Sequence, residues 1–144
     1  FSSGCIHDLG YITEAVKNII QMTVTTYKNE DLVMNARIEP LEETIDVLVE
    51  TLKDKHIERL QRGLCTTQSG ISFVELLTNM ERISDHCSNI AVHITQRLSQ
   101  CDTFDAHEHL RKLHESVTEE YKALCHYYES VYCDPVRRHT DHNL

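Results

Sequence analysis

From Phe73 to Ile94, apolar residues recur in alternating three- and four-residue steps: Phe73, Leu76, Met80, Ile83, Cys87, Ile90, Ile94. Those steps return to one side of an α-helix, and a strand cannot carry them on one face. A helix with a single apolar stripe over three heptads must bury it against other helices, so this segment dictates a bundle. The rest of the chain offers few places to break: 144 residues contain only 4 Gly and 2 Pro. A length of 144 residues indicates one domain, 1–144, long enough to bury a core.

Three further stripes follow the same rule. The first helix is expected over 3–28, with Ile6, Leu9, Ile12, Val16, Ile20, Val24 and Tyr27. The second is expected over 31–61, with Met34, Ile38, Leu41, Ile45, Leu48 and Leu52. Pro40 conflicts with it and either kinks that helix or marks its true first turn. "GLCTTQSG" (63–70) reads as a loop, and Ser72 with Glu75 forms a capping-box pattern for a third helix over 71–99. A fourth is expected over 104–132, capped near Asp105 and Glu108, with Tyr121, Leu124, Tyr128 and Val131 on its stripe. Pro135 should end it and leave "VRRHTDHNL" as a frayed tail. The fold class is all-α, an antiparallel up-down helical bundle of three helices plus a C-terminal fourth.

The net charge of −9, with no Lys/Arg cluster to offset it, argues against nucleic acid as a partner. None of the six cysteines forms a C-x-x-C pair, so zinc-ribbon spacing is absent. Cys87 falls on the third stripe and should be a buried free thiol, which favours a reducing, cytoplasmic compartment. No apolar run reaches the ~20 residues of a membrane span, and "FSSGCIHDLG" lacks the features of a signal peptide.

The chemistry concentrates in "NMERISDHCSNIA" (79–91). Glu81 and Asp85 are four residues apart and lie about 140° to 180° from the centre of their stripe. Glu42 and Asp46 repeat the spacing on the second helix, about 80° to 120° from its stripe, with Glu39 and Glu43 beside them. Antiparallel packing of the two helices would gather these carboxylates on one outer surface, if Pro40 or a helical extension into the 63–70 loop corrects the register. Such a set repels itself unless it is protonated or holds a cation, and its oxygens suit Mg²⁺, Mn²⁺, Ca²⁺ or Fe. The bland alternative is a solvated acidic face. His86 points to the other flank, towards the core edge or a neighbouring helix. The tail histidines read as surface positions and weak metal evidence. Enzyme signatures are missing: there is no E-x-x-H, no H-E-x-x-H, no glycine-rich phosphate loop and no G-x-S-x-G.

"LLTNMERISDHCSNIA" resembles the motif-bearing helix of the PhoU family. With "IEPLEETID", "HIERLQRGLC" and "FDAHEHLRKLHESVTEEYKALCHYYESVY", the chain from about Tyr11 to Tyr132 resembles the PhoU-like cytoplasmic domain of bacterial Na/phosphate cotransporter-family proteins. The resemblance implies three-helix repeats whose E-x-x-x-D motifs hold iron or zinc, here through Glu42, Asp46, Glu81 and Asp85. With one pair of motifs, the chain looks like the second repeat of a longer cytoplasmic region plus its C-terminal helix. The implied function is a non-enzymatic accessory domain in phosphate transport and homeostasis. Its implied partners are a membrane-embedded Na/phosphate transport domain, phosphate-signalling proteins or a second copy in a homodimer. Three alternatives stand beside it: a free-standing PhoU-type regulator, an enzyme with a carboxylate-bridged metal centre, and a metal-free helical adaptor.

Overall fold

The computed structural model describes residues 1–99, 108 and 118–141. Among them every regular element is helical: α1 (Ser3–Asn29), α2 (Leu32–Asn35), α3 (Ile38–Gln61), α4 (Thr67–Ser99), α5 (Glu119–Tyr128, extended by a π-helical turn Glu129–Cys133) and α6 (Asp134–Arg138). The fourth-helix span 104–118, with its expected cap, lies outside the described residues apart from Glu108 and Thr118. No helix among the described residues is long and apolar enough to cross a membrane.

The expected second helix divides at Pro40. Proline lacks an N–H and crowds the turn before it, so the helix breaks at Ala36–Arg37 and restarts with Pro40 in the first turn of α3. Asp31 caps α2 by accepting from the N–H groups of Val33 and Met34. The third helix begins at Thr67 rather than 71, with the Thr66 hydroxyl accepting from Ser69 N. Ser72 and Glu75 are therefore interior positions and not a cap.

α3 is the central element, packed on α1, α4 and α5. Its Ile38, Leu41, Ile45, Leu48, Val49 and Leu52 are fully buried, against Ile12 and Ile19 of α1 and Phe73 and Leu77 of α4. Asn35–Ala91, Glu39–Ser88 and Lys53–Glu81 run in opposite senses along the chain, so the α2–α3 arm is antiparallel to α4. Met22–Tyr128 and Asn18–Tyr132 make α5 antiparallel to α1. The up-down bundle is as expected.

Three stripes are rotated from their expected faces. α1 leaves Ile6, Ile20, Val24 and Tyr27 exposed and buries Ala15, Ile19, Met22 and Thr23 instead. From Ile12 to Val24 the expected α1 stripe advances by four-residue steps, which drift by ~40° each and leave the core side. On α4, Ile83 and Ile90 are exposed, while Ser84, Ser88 and Ala91 are buried and let α3 come close. Cys87 is buried and forms no disulfide. On α5 the π-turn inserts an extra residue, so Val131 turns outward and Tyr132, Cys133 and Val136 face the core.

The tail is not frayed as far as Asp141. Pro135 sits in the first turn of α6 rather than ending the structure. Asp141 then accepts from Arg59 at 2.7 Å, and Lys55 donates to the carbonyls of Val136 and His139.

Candidate metal centre

Glu42 and Asp46 stand one turn apart on α3, and Asp85 reaches them from α4. One ligand atom from each of the three lies within 4.8 Å of the others. Glu39, Glu42 and Glu43 form a second group of the same span, so Glu42 belongs to both. Glu81 does not join either group. It turns towards Lys53, 3.9 Å away, although its charge still acts on Asp46.

The surroundings are less open than the spacing predicts. Glu42 is 8% exposed and Asp46 is half-buried, whereas Asp85 is exposed. The groups line a groove between α3 and α4 rather than a free outer face, because rotation of α4 brings Ser84 and Ser88 inward beside them. His86 is exposed and does not cap the core edge. Glu39, treated in the sequence only as a neighbour, is buried and accepts a short hydrogen bond from the Ser88 hydroxyl. Its signal was its position in the first turn of α3, three residues before Glu42 and hence on the same side.

Electrostatics follow from that burial. Loss of water, then the charges of Asp46 and Glu39 and a hydrogen bond with Asp85, pushes the Glu42 carboxyl up to about 9. Burial, followed by Asp85 and Glu81, pushes Asp46 up to about 6. The Oδ1 atom of Asp46 is buried with no hydrogen-bond partner. On the far side, Tyr121 and Cys125 of α5 have their acidities weakened first by burial, with further effects from Glu43 and Glu39. A cavity of about 740 Å³ opens beside Glu39, Ser88 and Tyr121, walled by Asn35, Val92 and Leu124.

Carboxylates gathered this closely with little water repel one another unless they hold protons or share a cation, and their oxygens suit a hard or borderline ion. The Lys53 ammonium is held by Glu50 and Glu81. The carboxylates fit a metal ion; Glu42, Asp46 and Asp85 would hold it, with Glu39 and Glu43 next to them.

No curated protein and no solved structure matches the chain. Among known families, the PhoU domain matches residues 12–94, more than half of the chain and a span that includes α3 and all four predicted carboxylates. With a helical bundle and paired acidic motifs inside that span, the chain belongs to the PhoU domain family.

Proposed function

We propose that the protein is a metal-holding regulatory domain that acts in the control of phosphate uptake at the cytoplasmic face of a membrane, as an accessory to a Na/phosphate cotransporter. Family membership supports the link to phosphate transport and a regulatory rather than enzymatic role. The observation that carries the metal reading is the Glu42–Asp46–Asp85 group, to which Asp46 brings a buried oxygen with no hydrogen-bond partner. Two overlapping carboxylate groups that share Glu42 suit a pair of ions, with iron or zinc the leading candidates and manganese or magnesium compatible with all-oxygen donors.

In this reading the ions supply positive charge that lets the carboxylates ionise together. The protein's own residues set the rest. α3 and α4 fix the donors one turn apart, Ser88 orients Glu39, and Tyr121 and Cys125 close the groove from α5. The loaded groove then serves as a docking face for the transporter or a phosphate-signalling protein.

Elemental analysis of protein purified without chelator tests the site. Bound metal that disappears in Glu42→Gln/Asp46→Asn/Asp85→Asn, with helicity retained, is the expected result. Equal metal content in the variant would leave the carboxylates as a solvated face. Phosphate uptake in cells carrying the same variant tests the regulatory role, and co-purification with the transporter tests the cotransporter setting.

A further inference from the structure

A second cluster lies where the first turns of α1 meet the segment after α6, outside residues 12–94. Nδ1 of His7 is 3.3 Å, and Nδ1 of His139 3.0 Å, from Oδ1 of Asp8. Their ligand atoms all lie within 4.8 Å of one another. Oδ2 of the same carboxylate is engaged by Lys55 at 3.1 Å and by Arg59. Asp8 is fully buried, so those two contacts hold its Oδ1 towards both imidazoles.

Two imidazole nitrogens and one carboxylate oxygen are a zinc donor set that leaves a fourth position for water. With metal–ligand bonds of ~2.0–2.1 Å, neighbouring corners of a tetrahedron lie about 3.3 Å apart. The two distances to Asp8 meet that requirement. The rings of His7 and His139 are 4.1 Å apart at 32°, closer than two ligands of one ion stand. His7, with 46% of its side chain exposed, has open solvent into which to swing. Lys55 and Arg59 act from behind the carboxylate, as outer partners that orient a ligand. Their charges are offset by Asp8 and by Asp141, which accepts from Arg59.

We propose that His7, Asp8 and His139 form a zinc(II) site, separate from the acidic groove, that ties the segment after α6 to the start of α1. The two sites sit near opposite ends of α3: Glu42 and Arg59 are separated by about 25 Å of helix at 1.5 Å per residue. An ion here replaces the His–Asp contacts with bonds from both Nδ1 atoms, leaving each neutral ring with its proton on Nε2.

The test uses chelator-stripped full chain titrated with zinc chloride by calorimetry. In the Glu42→Gln/Asp46→Asn/Asp85→Asn background, one zinc equivalent should still bind, and adding His139→Gln should abolish it. In the otherwise native chain, His7→Gln/His139→Gln should lose one equivalent and retain any bound in the groove. This arm decides the matter if the acidic variant does not fold. Cobalt(II) in the same position should give the intense visible absorption of a tetrahedral centre. Zinc should also slow proteolysis after Arg138. Zinc stoichiometry unaltered by His7→Gln/His139→Gln, or no zinc taken up by folded acidic variant, would overturn the site without bearing on the groove.

Discussion

Gly10 and Gly70 both lie within helices, yet replacing them by alanine should have opposite effects. A Cβ at Gly10 meets nothing within 4 Å, so Gly10→Ala should stabilise the chain by ~0.5–1 kcal/mol through helix propensity alone. A Cβ at Gly70 would lie 2.6 Å from Nε2 of the buried His56. Displacing that ring costs ~1–3 kcal/mol, more than the propensity gain, so Gly70→Ala should destabilise. Urea unfolding of both variants measures the contrast. Burial pushes the Asp8 carboxyl up, but hydrogen bonds from Arg59, Lys55 and His7 outweigh it and hold the carboxyl below its usual range. Asp8→Asn would leave Arg59, 1% exposed, with only Asp141. We expect a loss of ~3–5 kcal/mol, read from the same unfolding curves. Spacing at this scale does not decide chemistry. Glu50 and Asp54 also stand four apart on α3, but both are exposed, and Glu50 pairs with Lys53 at 2.8 Å.

Along each helix, the apolar period indicates that a stripe exists more firmly than where it points. α3 carries the stripe whose full depth is used: Leu48 is completely buried, and Leu48→Ala should cost ~2–5 kcal/mol. Ile90 belongs to an equally regular stripe, yet it is 42% exposed. Ile90→Ala should cost under about 1 kcal/mol, since an exposed apolar side chain removes little area from water. Thermal melts of the pair distinguish the rotated α4 from one centred on Ile83 and Ile90. On α5, the π-turn is the reason that an unbroken helical count fails after Tyr128. One extra residue per turn moves the buried face from Val131 to Tyr132, whose hydroxyl accepts from Asn18 at 3.0 Å.

For the whole molecule, the carboxylate groove makes the metal-free protein sensitive to alkali. Glu42, about 9, and Asp46, about 6, both bind protons more tightly when folded than at their ordinary values of 4.5 and 3.8. Their contribution is complete below those ordinary values and is lost as pH rises through 6 and then 9. Chelator-treated protein should therefore melt progressively lower from pH 5 to pH 9. Glu42→Gln should flatten the alkaline part of that fall, and a bound divalent cation should do so in the native chain. Differential scanning calorimetry across the range checks the sign. Asp8 acts in the opposite sense: its lowered value makes its contribution disappear in acid, as pH falls through the folded value.

The bundle and its antiparallel order were legible in the sequence, because three- and four-residue apolar steps with almost no Gly or Pro admit one economical solution. Glu42, Asp46 and Asp85 were legible as well, through a spacing that stacks groups one turn apart on helices that must pack. Tertiary structure decided how deeply they sit, and that Glu81 turns to Lys53 while Glu39 comes into the groove, since rotation of α4 about its axis depends on Ser84 and Ser88 fitting against α3. It also decided that the residues from Pro135 to Asp141 are anchored. Asp8, Arg59 and Asp141 are far apart in sequence, and nothing in their spacing announces the network that joins them. A period along one helix records that helix's phase; the contact that gives a charge its meaning comes from another helix.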